Sequence, residues 1–361
     1  MSARLIAVSG LGPKEPAAFV VETDGRRLLL DCGEGPEPGR RPDFDAIGRV
    51  DAVILSHSHA DHCGSLRFAD RIGRPPVYAT APVIARLRDK VDAREIPIRG
   101  CTEVLGIELQ TGTNGHAPGG VWLRLSAGEG FLYMGDYSFE SRLYAIDTPP
   151  PTPIMTIDAS YGDFEQPLEE GRRVLKDVAA AGPVLFPAPA DGRAVDIAIY
   201  LQSEGFDVAI DEAVRSNAVA LTQQARESAR PDIVAPLQRL IADARPLDEN
   251  ASPQRVMVAH GGSGDTGVAG ALIKRWAQQR DPTIMFTGHL AAGTTGRRIV
   301  DGGRAKFQRW NVHPRTWDNL DLVGRVKPRT VLPAFGDAKF YPFWRERLRQ
   351  CEVATATPLA L

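Results

Sequence analysis

The chain has 361 residues, 43% hydrophobic and 24% charged, with a formal net charge of −2. That length allows a full hydrophobic core in one large domain or two ordinary ones, and the near-neutral balance excludes a global positive field that would draw in nucleic acid. Four scattered cysteines, Cys32, Cys63, Cys101 and Cys351, form no CxxC pair, which argues against a zinc ribbon or a disulfide scaffold.

The first third reads as short strands separated by Gly and Pro, at 4–8, 18–22 and 27–30. A strand at 51–55 runs straight into His57, and 62–73 reads as a helix stopped by Gly73-Arg74-Pro75-Pro76. Segments 121–125 and 130–134 pattern as a hairpin. Four prolines within 148–153 make that stretch an extended loop, and 154–157 is the next strand. From about residue 169 strands alternate with amphipathic helices: strands at 184–186, 207–210, 255–259 and 283–286, helices at 192–203 and 268–279. That alternation predicts an α/β layer with parallel strands. The last fifty residues return to helix, strand (330–332) and helix (340–349). No apolar run reaches the roughly 18 residues that span a membrane, and the N-terminus lacks the pattern of a secretion signal. The expectation is a cytoplasmic enzyme with no membrane partner.

The strongest local signal is Ser56-His57-Ser58-His59-Ala60-Asp61-His62. Imidazole nitrogen and carboxylate oxygen are good zinc donors. His57 and His59 are two apart, so they point the same way on extended backbone. A turn then brings Asp61 and His62 beside them. The bland alternative is a solvated His-rich turn, which four ligand types at this spacing after a buried strand disfavour. His116, in a loop rich in Asn, Gly and Pro, and Asp136, after an apolar strand, complete the cage. One metal would take His57, His59 and His116, a second Asp61 and His62, with Asp136 bridging. Zinc is expected in both sites, with manganese as the alternative. Asp31, ending a Leu-Leu-Leu strand, is the expected carboxylate behind a ligand histidine, receiving its other ring N–H.

HSHADH resembles the HxHxDH signature of the metallo-β-lactamase superfamily, with Asp31, His116 and Asp136 in the expected order. The resemblance implies an α/β fold, an αββα sandwich that binds two metals. The segment Thr156-Ile157-Asp158-Ala159-Ser160-Tyr161-Gly162-Asp163 resembles motif A of the β-CASP branch, which includes ribonuclease J and the pre-mRNA 3′-end cleavage endonuclease. Asn311-Val312-His313 resembles motif B, whose histidine assists protonation of the leaving group. Asp61, Asp158 and His313 are then the expected catalytic residues. The resemblance places the metallo-β-lactamase domain at 1–170 and 311–361 and an inserted β-CASP-like α/β domain at 171–310. One departure stands out. Motif C often ends a late strand with a metal-binding histidine before glycine, and here that place holds Phe335. The second metal then lacks a ligand unless Asp337, His289 or a water substitutes.

Gly262-Ser263-Gly264-Asp265-Thr266-Gly267 is a literal GxGxxG, read as either a phosphate-approaching loop at a helix N-terminus or a tight turn. Residues 296–310 combine five cations with Phe307 and Trp310, a composition suited either to a phosphate backbone or to a solvated helix over buried aromatics. The favoured function is a metal-dependent hydrolase, a phosphodiesterase or ribonuclease acting on single-stranded RNA or another phosphodiester through metal-activated water. The alternatives are a hydrolase of a small thioester, lactone or phosphodiester, and a catalytically weak binding subunit. The oligomeric state is left open, a homodimer included.

Overall fold

The computed structural model describes residues 3–37, 39–224, 228–279 and 281–361. The chain forms two compact units. One comprises Met1–Glu140, Tyr144–Glu165 and His313–Leu361, the other Ser141–Leu143 and Gln166–Val312. No helix among the described residues is long and apolar enough to cross a membrane.

The first unit holds two sheets of seven strands each among its described residues. One runs Leu359–Ala360, Arg4–Ser9, Ala18–Thr23, Arg26–Leu30, Ala52–Ile54, Val77–Ala79, Ala93–Glu95. The other runs Glu352–Val353, Thr330–Ala334, Ile154–Asp158, Phe131–Tyr133, Val121–Leu125, Ile107–Thr113, Gly100–Val104. Successive strand residues face opposite sides, and both sides are apolar here. Phe19, Val21, Leu28 and Leu30 share one buried cluster with Leu123, Leu125, Phe131 and Tyr133 of the opposite sheet. On the outer face of the first sheet, Ala18, Val20, Leu29 and Val53 pack against Phe44, Ile47, Leu66 and Ile72. On the outer face of the second, Leu132, Met155, Ile157 and Val331 pack against Leu322, Val323, Val326 and Trp344. The outer partners lie on helices, so the layers are αββα.

The expected helix over 62–73 is instead two pieces, an α-turn at Ala60–Cys63 and a 3-10 helix at Leu66–Ile72. Ser65 is diverted between them: its N–H donates to Cys32 O at 2.9 Å and its hydroxyl to Gly33 O at 2.7 Å. Those bonds tie the segment to the strand end that carries Asp31 and take the backbone off the helical path.

The second unit has a parallel sheet in the order Arg245–Pro246, Val208–Ile210, Val256–His260, Val184–Ala188, Thr283–Phe286, Lys306–Phe307. Helices Arg193–Ser203 and Gly267–Trp276 form where amphipathic stretches were expected. Helix Leu168–Ala181 starts inside the stretch that reads only as a change of texture. Two of the three glycines of the GxGxxG have a backbone reason. Gly264 closes a turn with its N–H on Gly261 O at 2.8 Å, and Gly267 holds φ +66° with its Cα against His260. Trp310 is buried rather than displayed, its ring N–H on Asp196, while Phe307 is 46% exposed.

Candidate metal centre

Parallel register brings the site together. Leu28, Leu29 and Leu30 pair with Ala52, Val53 and Ile54, so Asp31 and Ser56 leave adjacent strands at one edge. In the second sheet Phe131–Tyr133, Ile154–Asp158 and Thr330–Ala334 run parallel, so Asp136, Asp158 and Phe335 also leave together.

Asp31 is fully buried and takes φ +59°, in the left-handed region that costs a non-glycine residue energy. Its carboxylate accepts from Ser56 N–H (2.7 Å), the Ser56 hydroxyl (2.7 Å), His62 Nδ1 (2.7 Å) and the Tyr133 hydroxyl (2.8 Å). The expectation for Asp31 was a hydrogen bond to a ligand histidine, and the structure puts it on His62. The other three donors were not foreseen. With the Ser56 hydroxyl donating to Asp31, His57 Nδ1 at 3.0 Å is left as the donor to Ser56 Oγ. His57 Nε2 then carries a lone pair, and it is buried with no hydrogen-bond partner. Burial, reinforced by His62, His59 and His116, holds the pKa of His57 well below the ordinary value. A neutral imidazole aiming a lone pair into a buried site is the form in which histidine binds a divalent cation.

Three imidazoles make one corner of the cage. The rings of His57, His59 and His116 are 4.7 to 5.0 Å apart at 80° to 82°, and His59 Nδ1 lies 3.0 Å from His116 Nε2. The His116 loop is fixed by its own N–H on Asn114 Oδ1 at 3.0 Å. The helical turn Ala60–Cys63 carries Asp61 and His62. It lies so close to the Asp31 strand end that a Cβ on Gly33 would fall 1.7 Å from Asp61 O; only glycine fits.

Asp136 sits at the centre. Its oxygens are 3.2 Å from His62 Nε2, 3.6 Å from His116 Nε2, 3.6 Å from His313 Nδ1 and 4.0 Å from His57 Nε2. Among the described residues three groups of potential ligand atoms, each within 4.8 Å, all include it: His57, His59, His116 and Asp136; Asp61, His62 and Asp136; Asp136, Asp158 and His313. Burial alone would push the Asp136 carboxyl up, but His62, His313 and His116 outweigh it and hold the pKa well below the usual range. His62 shows the converse. Burial disfavours its charge, yet Asp136 and Asp31 raise its pKa well above the ordinary value. The cage therefore stabilises positive charge between these carboxylates, and its donor set suits a divalent metal.

His313 Nδ1 is 2.8 Å from Asp158 Oδ2. Burial again works against the charged ring, and Asp158 and Asp136 prevail, raising the pKa. Asp158 is fully buried and accepts Ser160 N–H at 2.9 Å. Asn319, also unforeseen, clamps the Asp158 main chain through its amide on Asp158 O at 2.9 Å and accepts the Tyr137 hydroxyl. Phe335 takes φ +62°, donates its N–H to Gly10 O at 2.7 Å, and sets its ring 5.3 Å from that of His62. A phenyl ring therefore walls the group built from Asp61 and His62. Among the described residues neither Asp337 nor His289 joins the three groups; Asp337 caps a 3-10 turn through Lys339 N–H.

The Asp31→Ala variant is expected to lose about 10–100-fold in metal affinity, because His62 loses the partner that orients it. Leaving buried donors of Ser56, His62 and Tyr133 unpaired should also cost upward of about 3 kcal/mol of stability. Metal titration and denaturant unfolding of the metal-free protein read the two effects separately.

The metallo-beta-lactamase superfamily profile matches residues 11–182. Integrator complex subunit 11 of Gallus gallus is 24% identical over an alignment 414 positions long, covering 92% of this chain and 69% of that protein. Transcription termination factor FttA of Methanocaldococcus jannaschii is 28% identical, covering 79% of this chain and 56% of that factor. A protein of unknown function from Enterococcus faecalis V583 has a crystal structure that matches with a TM-score of 0.62 at 12% identity, covering 100% of both chains, a likeness of fold. The matched span holds every cage residue from His57 to Asp158, so residues 11–182 form a metallo-beta-lactamase superfamily domain.

Proposed function

We propose that the protein is a metal-dependent phosphodiesterase acting on RNA. His57, His59 and His116 would hold one zinc ion, Asp61 and His62 a second, and Asp136 would serve both. The observation that carries this is Asp136 standing in three ligand groups at once, with the buried, unpartnered His57 Nε2 facing it. Cations held there would lower the pKa of a water and polarise a phosphoryl oxygen. The protein's own groups supply the rest. Asp31 and Ser56 fix the tautomers of His62 and His57. Asp158 keeps a proton on His313, which delivers it to the departing oxygen. The β-CASP resemblance of the Asp158 and His313 segments, together with relatives named for transcription termination and for the Integrator complex, favours RNA over a small ester. Trp317, four residues beyond His313 and 60% exposed, offers a face on which a base can stack.

The test pairs metal content per chain by elemental analysis with cleavage of a labelled single-stranded RNA, with and without Zn²⁺ or Mn²⁺. Two metals per chain, cleavage that stops on chelation and returns with metal, and loss of both in His59→Ala are the expected results. Phe335 favours a second reading, one tight metal and a small substrate, because its ring occupies the wall of the Asp61–His62 group. One metal per chain without RNA cleavage would move the assignment there.

A further inference from the structure

The turn that follows strand Ile154–Asp158 is built as a bracket beside His313. Its residues fold back on one another. Ser160 N–H donates to Asp158 Oδ1 at 2.9 Å, Gly162 N–H to Ala159 O at 2.9 Å, and Phe164 N–H to Tyr161 O at 3.1 Å. Gly162 holds φ +57°, and a Cβ there would fall 2.4 Å from the Phe340 ring, so a side chain would meet both backbone strain and a clash. The segment after His313 is stitched to the same turn. The Thr316 hydroxyl donates to Gly162 O at 3.2 Å, and Thr316 N–H to Phe164 O at 3.2 Å. Tyr161 and His313 are thus carried by two segments locked to each other.

The bracket sets Tyr161 against the imidazole. Tyr161 is half-buried. Its ring lies 5.2 Å from that of His313 at 74°, and the Phe164 ring lies 5.5 Å from it at 76°. Both are edge-to-face pairs, an arrangement aromatic rings favour. His313 also meets the His116 ring, at 5.2 Å and 35°. The bond to Asp158 does not fix His313 alone. Two torsions set an imidazole, and one hydrogen bond fixes one distance. A coupled turn of both torsions keeps Nδ1 on Asp158 while moving Nε2. With Nδ1 engaged, Nε2 is the atom left to give its proton to a departing oxygen: its N–H bond breaks as the O–H bond forms. The direction of Nε2 therefore decides the transfer, since a misplacement of about 1 Å costs on the order of 10²-fold in rate.

We propose that Tyr161 is a positioning residue whose ring pins the His313 imidazole so that Nε2 faces the departing oxygen. This rests on the phosphodiesterase reading for the reaction served, whereas the pinning is a property of the fold. It adds a role for a residue outside every ligand group. The contact is made by the ring, so phenylalanine should substitute and leucine should not.

The test uses the full-length, metal-loaded protein as wild type, Tyr161→Leu and Tyr161→Phe, with metal content and thermal midpoint showing that cage and fold are intact. Proton NMR follows the His313 Nδ1–H, assigned by its loss in His313→Ala. The expected result is a resonance that is sharp in wild type and Tyr161→Phe and broadens into exchange with water in Tyr161→Leu. On single-stranded RNA, kcat of Tyr161→Leu should fall roughly 10–100-fold while KM stays within about twofold. On a nitrophenyl phosphodiester, whose leaving group needs no proton, its kcat should stay within about threefold of wild type. Tyr161→Phe should stay within about threefold on both substrates. If Tyr161→Leu does not fold, Phe164→Leu, which withdraws a neighbour of the same ring, is read instead and should show the same selective loss to a smaller degree. An unchanged Nδ1–H resonance in the leucine variant, or none in wild type, would overturn the proposal even if RNA is cleaved. A raised KM at constant kcat would make Tyr161 a substrate contact, and equal losses on the two substrates a structural residue; either overturns it. A wild type that cleaves neither substrate, with the resonance still dependent on Tyr161, would keep the pinning and end the nuclease reading.

Discussion

Replacing Asp136 by alanine is expected to remove the second metal, weaken the first and lower RNA cleavage by about a thousandfold or more, the order of several kcal/mol of lost transition-state stabilisation. No other described residue stands in all three ligand groups. Its carboxylate is the negative charge that faces His62, His116, His313 and His57 from within 4.0 Å. Alanine leaves those rings facing one another across a void, and it removes one of the two carboxylates that hold a proton on His62. Asp136→Asn keeps the volume and one acceptor oxygen but not the charge, so it should bind metal better than alanine and still cleave poorly. Elemental analysis after dialysis and single-turnover cleavage decide the matter. An alanine variant that keeps two metals and cleaves within about tenfold of wild type would remove Asp136 from the centre.

The cage was legible because its signals are local. His57, His59, Asp61 and His62 lie within six residues, and His116, Asp136 and Asp158 each follow an apolar or strand-like run. Period two puts Phe19 and Val21 on one face and Ala18 and Val20 on the other, but all four are apolar, so which face meets the opposite sheet is not readable. What holds the cage was not legible. Tyr133 is 102 residues from Asp31, and its place in an apolar strand reads as ordinary core. Asn319 is 161 residues from Asp158 and sits in a helix that gives no hint of its partner. Ser56 reads as the residue before the motif, whereas its backbone and hydroxyl both bind Asp31 and its oxygen sets the tautomer of His57. Such contacts are created by strand register for Ser56, by sheet packing on sheet for Tyr133 and by helix packing on a strand end for Asn319, none of which a local window contains. The same limit explains the helix expected over 62–73: its pattern is helical, but Ser65 is captured by Cys32 and Gly33 from another strand end. Trp310 shows the opposite failure. Interleaved with cations it resembles a stacking platform, and tertiary packing buries it on Asp196.

Replacing His313 by alanine separates proton delivery from metal chemistry. In the structure this ring is held by Asp158 at 2.8 Å, and it belongs to none of the groups that include His57 or Asp61. Metal content should therefore stay within error of wild type. RNA cleavage should fall by about 10²–10⁴-fold, the usual contribution of a positioned general acid. The leaving group supplies the sharper test. An alkoxide departing from RNA needs a proton, whereas nitrophenolate departing from a nitrophenyl phosphodiester does not. His313→Ala should thus lose most of its rate on RNA and at most about tenfold on the nitrophenyl ester. Asp158→Asn should follow the same pattern more weakly, because the ring remains but the carboxylate that keeps it charged is gone. Equal losses on the two substrates would mean that His313 serves binding or metal retention, and the proton would have to come from elsewhere.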